Sequence, residues 1–107
     1  LNGYFKHLIY RNNDFEIYLI IWFPTAKTPI HNHPENGCFL KVLEGTLVEE
    51  VYKNDNELKL INIRQLKKND IDSKSGDKII HCIKNITLNI AYSIHIYYYK
   101  NFTYKIY

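Results

Sequence analysis

The segment LNIAYSIHIYYY, residues 88–99, alternates between two kinds of side chain. Successive residues of a strand point to opposite faces of the sheet. One face would carry the apolar residues Ile90, Tyr92, Ile94 and Ile96. The other face would carry Ala91, Ser93, His95 and Tyr97. Because buried hydroxyl, imidazole and phenol groups need hydrogen-bond partners, we interpret this second face as part of a functional site.

Further strand-like segments flank this one, and each is rich in β-branched or aromatic residues. They are FEIYLIIWF (15–23), CFLKVLEG (38–45), TLVEEVYK (46–53), ELKLINIR (57–64) and KIIHCI (78–83). Turn residues such as Pro24 and Gly45 separate them, and no segment has helical periodicity. Many short strands of this kind favour an antiparallel sandwich or small barrel. The predicted fold class is all-β.

Length and charge indicate a single domain without a nucleic-acid partner. The chain has 107 residues, of which 46% are hydrophobic, enough for one modest core. We therefore expect one domain over residues 1–107. The net charge of +3 is spread along the chain, with no like-charge block longer than Lys67 and Lys68.

The chain lacks the marks of a membrane or secreted protein. No apolar run approaches the roughly 20 residues that cross a bilayer, and no signal-peptide pattern stands at the start. The expected location is therefore the cytoplasm, where Cys38 and Cys82 would be reduced.

The segment TPIHNHPENGC, residues 28–38, places two histidines two positions apart. If this stretch is extended, the rings of His31 and His33 point the same way and can bind one metal ion. His81, in a strand-like segment, is the best candidate for a third ligand. Three neutral imidazoles leave open coordination positions, as catalysis requires, whereas a structural zinc site is closed by four ligands.

These residues also carry a resemblance to a known family. His31-x-His33, Cys38 and Gly45 resemble the first motif of the cupins, with Cys38 where many cupins have glutamate. The spacing His81-x-x-x-Asn85 resembles the end of their second motif. The combination of Cys38 with the pattern Ser93-x-His95-x-Tyr97 resembles sequences of the thiol dioxygenase branch of the cupins, and specifically those of the cysteine dioxygenase family. The resemblance runs from about Tyr4 to Tyr99.

The resemblance implies a cupin barrel, a jelly-roll type of double-stranded β-helix, with Fe(II) bound by His31, His33 and His81. It further implies that Cys38 lies beside Tyr97, with a thioether crosslink between them as an open possibility. His95 would orient the phenol of Tyr97, and Ser93 would hydrogen-bond to His95.

The activity implied is conversion of L-cysteine and O2 to cysteine sulfinic acid. Tyr4 matches a pocket residue of the family, whereas Lys6 replaces the arginine that holds the substrate carboxylate shortly before the first strand. Lysine lacks the planar fork that binds a carboxylate by two parallel bonds; Arg11 is a less favoured substitute. Another small thiol, a mercapto acid or cysteamine, therefore remains an alternative, as does a non-catalytic metal-binding cupin.

Typical family members carry N-terminal helices before the matching region, so this chain is either a stripped barrel or a fragment.

Four other residues are given no functional role. We expect Glu49 and Glu50 on a solvated edge, Cys82 in a structural role, and His7 either at the surface or satisfied in the core. The sequence leaves the oligomeric state open.

Overall fold

The computed structural model describes residues 3–34, 37–98 and 105–107. In these residues it contains eight strands and no helix. The strands are β1 (Tyr4–Arg11), β2 (Glu16–Trp22), β3 (Cys38–Glu44), β4 (Leu47–Asp55), β5 (Glu57–Leu66), β6 (Ile71–Lys74), β7 (Ile79–Lys84) and β8 (Ala91–Tyr97). Tyr99, at the end of the predicted last strand, lies outside the described residues. The described residues contain no helix with the length and hydropathy needed to cross a bilayer.

The strands form two antiparallel sheets, so the prediction of an all-β antiparallel fold is confirmed. One sheet has the order β1-β2-β8-β3-β6 and the other has the order β5-β4-β7. The two sheets are not joined into one closed barrel over the described residues, which makes the arrangement an open jelly roll. The core contains apolar side chains from both sheets: Ile20, Trp22, Ala26, Leu40, Val42, Leu47, Leu66, Ile83 and Ala91.

Strand β8 confirms the period-two interpretation of its sequence. Ala91, Ser93, His95 and Tyr97 are buried, whereas the residues between them are partly exposed. Strand β8 pairs with β2 on one side and β3 on the other. This central position in the five-stranded sheet fixes the direction of the face that carries Ser93, His95 and Tyr97.

Gly45 directly follows β3 at a point of close approach to β8. Its φ is +83°, and a Cβ at this position would lie 2.8 Å from the Cβ of Ala91. Only glycine meets both conditions without strain. The backbone conformation and the close approach to Ala91 therefore explain why this position of the first motif holds glycine.

Two strands were missing from the sequence-based prediction. Lys6, expected before the first strand, lies inside β1 opposite Ile20. Strand β1 is an edge strand in which Tyr4 and Lys6 are half-buried and the other residues are exposed, so its sequence carries a weak burial pattern. Strand β6 is short, and its buried residue is Asp72.

Candidate metal centre

A cavity of about 200 Å³ lies on the inner side of the sheets. Its lining contains most of the predicted site residues. The lining residues are Tyr4, Lys6, Ile20, Trp22, Thr28, Pro29, His31, His33, Cys38, His81, Ile83, His95, Tyr97 and Ile106. The fold thus gathers residues that are far apart in sequence around one small space.

Backbone pairing positions the three histidines. His31 and His81 form an antiparallel bridge in which the N–H of His31 donates to the carbonyl of His81 at 3.0 Å, and the reverse bond measures 3.3 Å. The N–H of His33 donates to the carbonyl of Gly76 at 3.0 Å. Each histidine backbone is therefore fixed by main-chain hydrogen bonds.

The ring nitrogens of the three histidines converge. The Nε2 atom of His81 lies 2.9 Å from Nε2 of His33 and 3.2 Å from Nε2 of His31. One nitrogen from each ring lies within 4.8 Å of the others. Two ligands bonded at right angles to one metal, with bonds of about 2.0–2.1 Å, are about 3 Å apart, so these spacings suit a shared ion.

The protonation of the rings also fits a bound cation. The Nδ1 atom of His31 lies 2.8 Å from the carbonyl of Pro29, and Nδ1 of His81 lies 2.7 Å from Oε2 of Glu49. Because both oxygens accept, each Nδ1 carries the proton and each Nε2 presents a lone pair. Burial lowers the pKa of His31 and, strongly, that of His81, so both rings are neutral. Facing lone pairs repel unless a cation lies between them.

His33 shares this neutral state. Burial and then the neighbouring imidazoles lower its pKa to about 2. Three neutral imidazoles form a donor set that iron, zinc, copper and nickel all accept. The predicted ligand residues therefore fit a metal ion, and His31, His33 and His81 could hold it.

Glu49 is a site residue that the sequence-based prediction missed. Expected on a solvated edge, its side chain is fully buried, and one oxygen accepts the hydrogen bond from His81. Its neighbour Glu50 is half-buried and pairs with Lys84 instead. The alternation of Leu47, Glu49 and Val51, all buried, is the signal that could have found it.

The wall of the cavity also carries Cys38 and Tyr97. These two residues are direct partners in the register of β3 and β8. Both are buried. Burial raises the pKa of the Cys38 thiol to about 12, which keeps it protonated at neutral pH.

A hydrogen-bond chain leads from the core to the phenol of Tyr97. The indole N–H of Trp22 donates to Oγ of Ser93 at 2.8 Å, and Oγ lies 2.8 Å from Nε2 of His95. Nδ1 of His95 lies 3.5 Å from the hydroxyl of Tyr97. The indole can only donate, so Oγ of Ser93 accepts from Trp22, and its own proton can be donated to Nε2 of His95, which would place the imidazole proton on Nδ1, facing Tyr97.

His95 itself stays neutral in this chain, since burial lowers its pKa to about 3. With the proton on Nδ1, His95 can donate to the Tyr97 oxygen, which would hold the phenol at the cavity wall. The structure therefore brings Ser93, His95 and Tyr97 together in the predicted order, and adds Trp22 at its inner end.

Lys6 places a cation at the same wall. Its Nζ atom lies 4.3 Å from the ring centre of Tyr18 and 4.6 Å from that of Tyr97. Burial lowers its pKa to about 8, against the opposing influence of Cys38 and Glu16. Arg11, the weaker candidate, instead pairs with Glu16 and is outside the cavity lining.

Comparison with known proteins agrees with this geometry. The family model described as cysteine dioxygenase type I matches residues 1–107. The chain belongs to this family. The cysteine dioxygenase type 1 proteins of Homo sapiens and Rattus norvegicus are 30% and 29% identical to it over 91 residues. The match covers 80% of this chain and 46% of each relative, so the chain spans about half the length of these cysteine dioxygenases.

Solved structures show the same fold. An oxalate oxidase in complex with glycolate superposes with a TM-score of 0.77 at 17% identity, covering 98% of this chain and 55% of the other. A cupin domain from Schizosaccharomyces pombe gives a TM-score of 0.74 at 13% identity, covering 94% and 67%. Cysteine dioxygenase family membership and the cupin fold together imply a metal cofactor, and the three histidines provide its candidate site.

Proposed function

We propose that the chain is an iron-dependent thiol dioxygenase that converts L-cysteine and O2 to cysteine sulfinic acid. One observation carries the proposal: three converging imidazoles line a small cavity together with Cys38, Tyr97 and Lys6. The ligands proposed for Fe(II) are His31, His33 and His81. In the overall reaction both oxygen atoms of O2 are added to the substrate sulfur.

The proposed metal supplies charge and open positions. When bound, ferrous iron keeps the substrate thiol deprotonated and offers coordination positions for the substrate and for O2. The protein contributes neutral imidazoles, and its largely apolar cavity limits the access of water.

Lys6 and Tyr4 are the proposed substrate-binding residues. The ammonium of Lys6 attracts a carboxylate, and the cavity of about 200 Å³ accommodates a molecule as small as cysteine. Cysteamine has no carboxylate and carries its own positive charge, which Lys6 would repel. Lys6 therefore favours thiols that bear a carboxylate.

Tyr97 is the proposed catalytic residue on the protein side. Its phenol proton can donate to charge that develops on oxygen during the reaction, and such a donor commonly contributes about 100-fold to a rate. His95 and Ser93 hold the phenol in place through the hydrogen-bond chain described above. Cys38 supports the ring from the neighbouring strand.

A mercapto acid is the second candidate substrate, and Lys6 is the observation that favours it. A single ammonium binds a carboxylate as a point charge and does not distinguish between the other groups of the molecule. A cysteine analogue that lacks the amino group would satisfy Lys6 equally well.

The decisive experiment is single turnover with cysteine. The protein is loaded anaerobically with Fe(II), mixed with cysteine and exposed to O2, while oxygen uptake and sulfinate are followed by oximetry and mass spectrometry. We expect one sulfinate per O2 consumed. Oxygen uptake with a mercapto acid but not with cysteine would favour the second candidate substrate. No oxygen uptake with any small thiol would favour a non-catalytic metal-binding cupin.

A further inference from the structure

Glu49 is a buried carboxylate with three cationic or proton-donating neighbours. Its side chain has no exposed surface. Oε2 accepts from Nδ1 of His81 at 2.7 Å, and Oε1 accepts from Nε of Arg64 at 2.8 Å. Nζ of Lys74 lies 3.3 Å from Oε2. Burial of an ionised carboxylate is unfavourable by several kcal/mol unless it is paired in this way.

The surrounding charges hold Glu49 in its ionised form. Burial alone would raise its pKa, but a hydrogen bond with Asp72, whose own pKa is raised by burial, and the cations Arg64 and Lys74 outweigh this effect and leave the pKa below its usual value. Asp72 in turn pairs with Arg64 and with Lys74, whose Nζ lies 2.7 and 2.8 Å from its two oxygens. Glu49, Arg64, Asp72 and Lys74 do not line the cavity; the network meets it through the hydrogen bond from His81 to Glu49.

A second metal ion is a poor explanation for this network. Glu49, Asp72 and His81 do bring three potential ligand atoms together. The ammonium of Lys74, however, already lies against both carboxylates and takes the position that a cation would need. His81 also directs its protonated Nδ1 at Glu49 and its lone pair at the other two histidines.

We propose that Glu49 is a positioning residue for the metal centre: it fixes the ring of His81 with the proton on Nδ1 and the Nε2 lone pair directed into the cavity. The inference rests on the metal site proposed above. A carboxylate behind a ligand histidine also makes the ring a stronger donor, and loss of such a partner commonly lowers metal affinity by about 10–100-fold. Arg64 and Lys74 keep this carboxylate charged and in place.

The test is metal affinity in Glu49→Gln, with Glu50→Gln as the matched control. The control changes the same residue type one position further along β4, on the face that contacts Lys84 and Cys82. Affinities for Fe(II) and Zn(II) are measured by competition with a chromophoric chelator, and folding by urea denaturation of both metal-free variants. We expect at least about tenfold weaker binding in Glu49→Gln and none of this loss in Glu50→Gln. Equal affinities for the two variants would overturn the proposal.

A second measurement uses the unmodified chain and does not depend on whether Glu49→Gln folds. Long-range 15N–1H NMR spectra of the metal-free protein report which ring nitrogen of His81 carries the proton. We expect the Nδ1–H form with a strongly hydrogen-bonded proton, and an Nε2–H form would contradict the inference. If the unmodified protein binds neither Fe(II) nor Zn(II), the proposed metal centre itself is wrong. This outcome is distinct from a failure of the Glu49 proposal, because it appears without any substitution.

Discussion

Cys38 and Tyr97 lie directly opposite each other on the neighbouring strands β3 and β8. Side chains in such a cross-strand pair have Cβ atoms about 4.5–5.5 Å apart. Both side chains are buried on the inner side of the sheet. The pairing of two strands, rather than a loop, therefore brings the thiol beside the phenol ring.

We expect this pair to form the thioether crosslink that the family resemblance implies. A bond between Sγ and a ring carbon removes one hydrogen atom from each partner, and O2, reduced to hydrogen peroxide, is the proposed acceptor of the two electrons. Intact mass spectrometry after aerobic incubation with Fe(II) should show the loss of two hydrogen atoms. Cys38→Ser and Tyr97→Phe should abolish the loss, whereas Cys82→Ser should retain it. A loss that persists in Cys38→Ser would rule out this pair.

The three histidines should each be needed for metal binding. Alanine at His31, His33 or His81 removes one of the three converging nitrogens, and we expect affinity for Fe(II) to fall by about 100-fold or more, beyond the loss that follows from removing a supporting partner. His7→Ala is the control, because His7 is exposed on β1. Equilibrium dialysis with metal analysis gives the affinities. Unchanged binding in any one of the three variants would exclude that residue as a ligand.

The chain from Trp22 to Tyr97 makes a prediction that separates stability from catalysis. Ser93→Ala leaves the buried indole N–H of Trp22 without an acceptor, which costs about 1–3 kcal/mol of unfolding free energy. It also removes the hydrogen bond between Ser93 and His95 that orients the imidazole, so kcat should fall about tenfold or more. Trp22→Phe removes the indole donor but leaves the Ser93 to His95 bond, so it should lower stability without a comparable loss of kcat.

Urea denaturation and steady-state kinetics of these two variants, and of the double variant, check this prediction. The double variant should lose less stability than the sum of the single losses, since the unsatisfied indole is gone. Equal effects of both single variants on kcat would show that Ser93 does not act through His95.

Much of this site follows from period-two patterns that are visible in the sequence. The alternation through Ser93, His95 and Tyr97 predicts their shared face, and the spacing of His31 and His33 predicts that their rings point the same way. Both patterns are local, because a strand fixes the direction of each side chain from its neighbours alone. The all-β class follows from the same kind of signal.

The partners across strands could not be predicted in this way. The alternation with Leu47 and Val51 indicates that Glu49 is buried, but the cations that pair with it, Arg64 and Lys74, come from β5 and β6. The family resemblance places Lys6 before the first strand, and β1 itself has a weak pattern, because only Tyr4 and Lys6 in it are even half-buried. Which residues face each other across a sheet depends on long-range register, and one sequence does not contain that information.

Substrate binding should depend on pH through Lys6. Its pKa is lowered to about 8 by burial, so the ammonium is present below pH 8 and is lost as the pH rises through this value. KM for cysteine should therefore increase by about tenfold between pH 7 and pH 9, the loss expected for one hydrogen bond to a charged partner. Lys6→Arg keeps its charge over the whole range and should remove the increase.

The comparison of these two proteins isolates Lys6 from the substrate, whose own thiol and amino groups titrate in a nearby range and affect both profiles alike. Lys6→Leu should show the high KM at every pH, because it has no cation to lose. The measurement is KM for cysteine from initial rates of O2 consumption, at constant ionic strength. If the Lys6→Arg profile rises in parallel with that of the unmodified protein, the pH dependence belongs to the substrate, and Lys6 does not bind its carboxylate.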